Sequence, residues 1–540
     1  MLFAALVIIH LVPLWGFKYF PSQDGPSHLY NASVLRDYQR PDFSSFREYY
    51  LLNTSVAPNW FGHLVLAGLM YVVPILTAEK LFLSGYVVLL PLAIRYALRA
   101  IRPEAGFLAV LAFPFIFNYV FHLGYYNFSY SLVVFFFLVG YWLEHRERSG
   151  PRELATLVAL ALALYFCHLV SLVMAGLAIS LLALWLTLLD LATQLRQRRV
   201  DRVALWSAVR SRALVPLVAF LPPAVLALAF LVRQGTARSA PPPTRVLLNG
   251  LLHLDSLVAY DEDRAIWLST ALVGLFVVVL LYCLGAKAVG RRLDRWDGLL
   301  AVVAAFGVVY FLAPASMSGG MDISPRLRLF PFLALLLWFG AQAYPLVVRR
   351  GIQAIAVLIA LAMLALNAMR YGEINDYLDE YVSASSLVEP NATLLGLCFS
   401  HYANEPDGRP LAHKVAPFAH ASSYISAERR SLELDNYEAQ TSYFPLMFRP
   451  RLNPGLHIAV SKPTFGCPHQ GPPRVDFLTY PERTGGRVDY VLLWGARDEL
   501  LGSAEAKDIL RQLEAGYELI YTSPQRGLVQ LYRRTGWSGG

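Results

Sequence analysis

The chain has 540 residues, 56% of them hydrophobic and only 16% charged. Soluble globular domains carry about 25% charged residues, so the composition excludes an ordinary soluble enzyme and points to a polytopic α-helical membrane protein. The net charge of +8 comes mostly from Arg clustered in short loops between apolar runs, a pattern that reports membrane orientation and gives no sign of nucleic-acid binding.

The first apolar segment, Met1–Phe20, has no basic run ahead of it and no small-residue cleavage site behind it. It reads as a retained helix. Directly after it comes Pro21-Ser22-Gln23-Asp24-Gly25-Pro26-Ser27-His28. A carboxylate just outside a membrane helix is costly unless it is solvated or used. Gly25 permits tight backbone geometry and Pro26 fixes the chain direction, so Asp24 is held in place. Asp24 also suits the N-cap of a helix beginning near Pro26. A cap can be a catalytic carboxylate as well, and His28 lies four residues on. Arg36 and Asp37 follow in the same loop.

Apolar segments then recur near 59–77, 80–99, 106–121, 126–143, 153–168, 170–191, 213–232, 266–286, 298–314, 327–347 and 352–369. Five loops between them are basic. They hold Arg99 and Arg102; Arg146, Arg148 and Arg152; Arg196 to Arg212; Lys287 to Arg295; and Arg349 with Arg350. All five are expected in the cytoplasm. Alternation from 80 onward then puts 122–126, 168–170, 233–265, 315–326 and everything after 370 outside. The loop bearing Asp24 joins that side only if 59–77 does not cross. Trp60, His63, Tyr71 and Pro74, with Pro58-Asn59 ahead, suit an interfacial helix. The expectation is a transmembrane module over 1–370, with about eleven spanning helices and interfacial helices in the first outer loop.

Residues 371–540 differ in kind. Apolar runs shorten to strand length at Thr393–Phe399, His457–Val460, Val488–Trp494, Glu518–Tyr521 and Leu528–Tyr532, and an amphipathic helix covers Ser503–Tyr517. This predicts a small C-terminal α/β domain on the extracytoplasmic face. Cys167 and Cys283 fall in apolar helices as packing residues. Cys398 and Cys467 could pair if this domain meets an oxidising compartment.

The topology gathers selected polar residues on one face. After Asp24 and His28 come His122, Tyr125 and Asn127 in the second outer turn and His168 in the third. His253, Asp255, Asp261, Glu262, Asp263 and Arg264 occupy the large loop, and Arg326 and Arg328 follow the Ser318-Gly319-Gly320-Met321-Asp322 turn. His at a helix end also serves as an interfacial anchor. Arg326 opens an apolar helix on the non-cytoplasmic side, against the charge rule, where its fork suits a lipid phosphate. The run Asp261-Glu262-Asp263 could bind a divalent metal or simply be solvated.

This layout resembles the GT-C superfamily of polytopic glycosyltransferases, which includes protein mannosyltransferases and aminoarabinose transferases. The likeness rests on Asp24 in the first outer loop, interfacial helices there, a large outer loop past mid-chain, Arg326 at the mouth of a late helix and the C-terminal outer domain. It implies that Asp24 is the catalytic base or a metal-linked acid, with Arg326 binding phosphate. It further implies a polyprenyl-phosphate sugar donor in the membrane lipid and a glycan, lipid or protein acceptor. Members with a second acid carry it in the second outer loop. Here His122, Tyr125 and Asn127 stand there without a carboxylate, which argues against metal dependence. No other cofactor is implied. A lipid or oligosaccharide transporter, a non-catalytic scaffold, and a ligase centred on 233–265 are the competing readings.

Overall fold

A computed structural model describes residues 1–235, 237–290, 294–403, 409–460, 471–497 and 501–536. Arg291 and Arg292 of the fourth basic loop, and Cys467 of the expected Cys398–Cys467 pair, lie outside the described residues. Among the described residues, eight helices are long and apolar enough to cross a bilayer. They are Ile75–Ile101, Tyr126–His145, Leu169–Arg196, Arg202–Gln234, Glu262–Gly290, Arg295–Leu312, Ile323–Gly340 and a helix starting at Leu346. This is the architecture of a multi-pass membrane protein. Local chemistry sets several boundaries. Asp201 caps Arg202–Val209 by accepting from Val203 and Ala204 N–H, and His168 caps Leu169–Arg196 through Val170 N–H. Tyr126–His145 and Ile323–Gly340 are the most buried of the long helices and form the centre of the bundle.

The segment 59–77 does not hold a spanning helix. It contains Phe61–Leu69, nine residues, or about 14 Å of helix, against an apolar thickness of about 30 Å. A turn ending at Pro74 follows, and Ile75 starts the next long helix. The first loop therefore emerges at the same end of the bundle as the turns near 124, 168 and 320, and residues from all four line one cavity. The basic loops meet at the other end. Arg212 pairs with Glu147 and Asp190 at 2.8 and 2.6 Å, and Lys287 pairs with Asp297 at 2.6 Å. Arg146 lies over Trp296, and Arg349 over Phe107.

After the bundle, a five-stranded sheet has the order β3-β2-β5-β7-β6. The strands are β2 (Thr393–Cys398), β3 (Leu432–Glu433), β5 (Tyr490–Trp494), β6 (Tyr517–Thr522) and β7 (Val529–Arg534). Strands β3, β2 and β5 run parallel, and β7 and β6 add antiparallel. Strand β2 is wholly buried, as a continuous apolar run in a parallel sheet should be. Four of the five expected strands occur, as does the helix Ala504–Gly516, capped by Ser503. His457–Val460 is not a strand. Asn453 accepts from Gly455 N–H and Pro454 opens a short helix, Pro454–His457, in its place. The helix Leu346–Tyr381 runs unbroken through residue 370.

This region is tied to the first loop by pairing that no local pattern signals. Strand β1 (Tyr50–Leu52) pairs antiparallel with β4 (Leu446–Phe448); each is too short for periodicity to register. The end of the long helix is clamped by Glu380, which is 1% exposed. Its carboxylate accepts from Ser523 Oγ at 2.7 Å, from Arg526 and Leu528 N–H at 3.1 and 3.2 Å, and from the Arg526 guanidinium at 3.1 Å. Arg526 is itself exposed, so the loss of Glu380 is felt chiefly through the buried Ser523 and Leu528 donors left unpaired, at about 1–3 kcal/mol. Glu380→Ala is therefore expected to lower the thermal midpoint of the detergent-purified protein and to speed hydrogen exchange across Val529–Arg534. Exchange as slow as in the wild type would show that the clamp does not hold the sheet.

Candidate functional site

The Asp24 loop is fixed by the backbone of the second turn. Gln23 N–H donates to the His122 carbonyl at 3.0 Å and Asp24 N–H to the Leu123 carbonyl at 3.1 Å. Gly124 has φ +84°, and a Cβ there would sit 2.7 Å from Gly25 N and 2.9 Å from Asp24 Cβ. Only glycine fits both the left-handed backbone and that approach. On the other side, a Cβ at Gly25 would strike Ser22 Oγ and Tyr126 Oη, which bond each other at 2.7 Å. Asp24 holds the N-cap position of the helix Gly25–Asp37, as expected, but its side chain makes no cap hydrogen bond. The carboxylate is turned to a cavity.

That cavity has a volume of about 500 Å³ and is lined from the first loop, three bundle turns and residues 401–444. Asp24, His28, Tyr125, Asn127, His168 and Arg326, all expected site residues, line it. His122 does not. It is fully buried, with Nε2 2.6 Å from Tyr371 Oη and Nδ1 2.9 Å from the Asn118 carbonyl, and Phe20 and Tyr260 pack on its ring. Its backbone, not its imidazole, serves the site. Arg328 is also elsewhere. It lies two residues on, about 200° around the helix from Arg326, bonded to Tyr310 Oη and Ser256 Oγ at 3.0 and 3.2 Å and ion-paired with Asp255. In the large loop, Asp261 faces Arg264 and Arg370 at 3.7 and 3.5 Å, and His253 meets Thr270 at 2.9 Å.

Asp24 is buried, which raises its carboxyl to about 6, while His28, Gln23 and Tyr437 pull it down and Glu438 adds to the rise. Gln23 Nε2 donates to it at 3.2 Å, and Tyr437 hydrogen-bonds it. His420 Nε2 stands 3.9 Å away; burial lowers that imidazole to about 3, so it is neutral. A carboxylate near neutrality, lightly hydrogen-bonded and facing a cavity, can accept a proton.

Arg326 is the complementary group. It is 8% exposed, and among the described residues it pairs with no carboxylate. Nη1 donates to the Met321 carbonyl at 2.8 Å, and the guanidinium lies 4.2 Å over the Tyr125 ring. Its buried Nε has no partner among the described residues. Tyr125 Oη donates to Asp322 at 2.6 Å, fixing the ring under the cation. A buried guanidinium with an unused donor favours an anionic ligand. His168 lines the same side, edge-on to Phe128 at 5.3 Å. Lys414 adds a second cation, with Nζ 3.3 Å from the Asp255 carbonyl.

His28 is less free than its place in the motif suggests. Nε2 is 2.9 Å from the Gly124 carbonyl, and Nδ1 is 2.7 Å from Glu438 and 3.3 Å from His63 Nε2. Burial works against the charged ring, but Glu438 outweighs it and raises the imidazole. Both nitrogens are engaged, so His28 holds the loop. Asn127 is likewise spent on position: its amide donates to the Asn59 carbonyl at 2.8 Å and accepts from Gly62 N–H at 2.7 Å, seating the helix that carries His63.

Sequence reading missed the wall formed by Tyr402, Lys414, His420, Tyr437 and Tyr443. One signal was present: three of the twelve histidines fall within 401–420. Gly124→Ala tests the close approach. It should lower thermal stability by about 1–2 kcal/mol or more through left-handed strain alone. Gly68→Ala, whose Cβ meets nothing within 4 Å, should not; equal midpoints for the two variants would refute the packing. In comparisons with known proteins, no family model matches this chain, and no curated protein matches it.

Proposed function

We propose that this protein is an inverting glycosyltransferase of GT-C type, moving a sugar from a polyprenyl-phosphate donor to a hydroxyl acceptor at the extracytoplasmic face of the plasma membrane. The observation that carries the reading is one cavity holding a buried carboxylate that makes no helix-cap bond and a buried guanidinium that pairs with no carboxylate among the described residues. The eight long helices, with Leu2–Gly16, Pro103–Phe115 and Pro151–Cys167, make eleven spans in this scheme. The cavity and the C-terminal sheet then lie outside, because the basic loops meet at the opposite end. A site at one end of the bundle suits a headgroup at the membrane surface better than it suits midplane transport.

In this mechanism Asp24 takes the proton of the acceptor hydroxyl as its oxygen attacks the anomeric carbon. The bond from that carbon to the phosphate oxygen breaks on the opposite face, which inverts the centre. The electron pair leaves with the polyprenyl phosphate. Arg326 meets the charge that develops there, with His168 and Lys414 on the same side. Tyr437 and Gln23 keep the Asp24 carboxylate aimed. The acceptor is a glycan, lipid or protein hydroxyl that reaches the cavity.

Transfer of radiolabelled sugar from a panel of polyprenyl carriers by purified protein tests this. Asp24→Asn keeps shape but removes basicity, so turnover should fall on the order of 10²–10⁴-fold with donor binding nearly intact. Arg326→Ala should weaken donor binding and turnover together, and Arg326→Lys should restore only part, because a point charge cannot reproduce the fork. Wild-type turnover in Asp24→Asn would remove the base from the scheme. Absence of transfer by the wild type across the panel would reject the activity.

A further inference from the structure

Beneath the cavity, three side chains from three distant parts of the chain converge. His28 comes from the helix Gly25–Asp37, His63 from the helix Phe61–Leu69, and Glu438 from the short turn Glu438–Gln440. All three are buried. His28 Nδ1 is 3.3 Å from His63 Nε2, and each of these nitrogens lies 2.7 Å from a different oxygen of Glu438. One donor atom from each residue falls within 4.8 Å of the others.

The protonation pattern singles out this cluster. His28 Nε2 faces the Gly124 carbonyl at 2.9 Å, which only an N–H can satisfy. A neutral His28 therefore aims a lone pair at the cluster through Nδ1. His63 also points Nε2 inward, and its Nδ1 has no partner among the described residues. The buried Glu438 charge is matched by the two imidazoles and by no Lys or Arg among the described residues. With protons alone the cluster closes as an ion pair, each imidazole N–H facing its own Glu438 oxygen. A divalent ion fits the same three donors, with both nitrogens presenting lone pairs and the carboxylate supplying countercharge.

From this geometry we infer a divalent metal site of the zinc class, held by His28 Nδ1, His63 Nε2 and the Glu438 carboxylate. Two nitrogens at zinc bond lengths of about 2.0–2.1 Å and a tetrahedral angle stand roughly 3.3 Å apart, which is the N···N separation found; the two N···O distances of 2.7 Å are hydrogen-bond lengths that open as an ion enters. The ring N–H of His28 on a backbone carbonyl is the support that metal-bound imidazoles usually have. The mixed nitrogen and oxygen set suits zinc over magnesium or calcium. Phe444 packs against both rings, at 5.9 and 5.5 Å, and keeps the centre dry. Asp24 is not a ligand. The ion pins both first-loop helices to the C-terminal region, and through the Gly124 carbonyl it braces the Asp24 loop. The site goes beyond glycosyl transfer and does not rest on it.

The test reads metal, not activity. Untagged full-length protein in detergent is incubated with Zn²⁺, passed through gel filtration and analysed for zinc. The wild type should retain about one zinc per chain. His63→Ala and Glu438→Gln should fall below roughly a tenth of that, since two donors do not hold the ion tightly, whereas Arg326→Ala should retain it. Zinc-edge X-ray absorption on the wild type needs no variant and should show two imidazoles. A folded wild type without stoichiometric zinc overturns the site. So does wild-type zinc content in both ligand variants, or a zinc shell without imidazole.

Discussion

The structure depends on the docking of the first-loop helix Gly25–Asp37 against the C-terminal region. Asn31 and Asn436 exchange amide hydrogen bonds at 3.0 and 2.9 Å, both residues buried. Tyr30 Oη accepts from Glu433 N–H at 2.9 Å, and Tyr50 Oη donates to the Glu433 carbonyl at 2.9 Å. Arg430 reaches Asp37 at 3.0 Å. A buried polar network of this kind is worth having only when its members are satisfied together. Once they are, the register between residues 25–37 and 430–436 is fixed, and with it the cavity and the His28–His63–Glu438 cluster.

This arrangement explains why the site has two electrostatic characters. The bundle contributes Arg326 and His168 at helix ends, where Nη1 of Arg326 is tied to the Met321 carbonyl and Nδ1 of His168 caps its helix through Val170 N–H. The first loop contributes Asp24, whose backbone is held by the His122 and Leu123 carbonyls and whose carboxylate takes hydrogen bonds from Gln23 and Tyr437. The C-terminal region covers both and removes water, which lifts the Asp24 carboxyl and leaves the Arg326 Nε without a partner among the described residues. Burial thus strengthens the field that each group exerts on charge inside the cavity.

Much of the frame was legible in the sequence. Apolar runs and basic loops located the long helices, and Pro58-Asn59 and Pro74 marked the segment that does not cross. Asp24 and Arg326 stood out because charge at a helix mouth must be explained. What remained hidden depended on long-range pairing. His122 looked like His168, yet Tyr371, far along the chain, takes its Nε2 and buries it. Arg328 looked like Arg326, but two residues on a helix turn by about 200°, and Asp255 captured it. His63 and Glu438 are ordinary in isolation; only the fold brings them within 2.7 Å. A boundary at 370 followed from the change in hydropathy, while the helix Leu346–Tyr381 continues past it, and in its last turn Glu380 bonds Ser523 and Leu528 while Tyr381 packs on Trp494 of the sheet.

The most direct measurement is a cryo-electron microscopy structure with a polyprenyl phosphate bound. The account predicts the phosphate within about 3 Å of the Arg326 guanidinium, with its sugar-bearing side facing Asp24 and the prenyl tail leaving along the bundle. A phosphate seated away from the cavity, with Arg326 untouched, would contradict it.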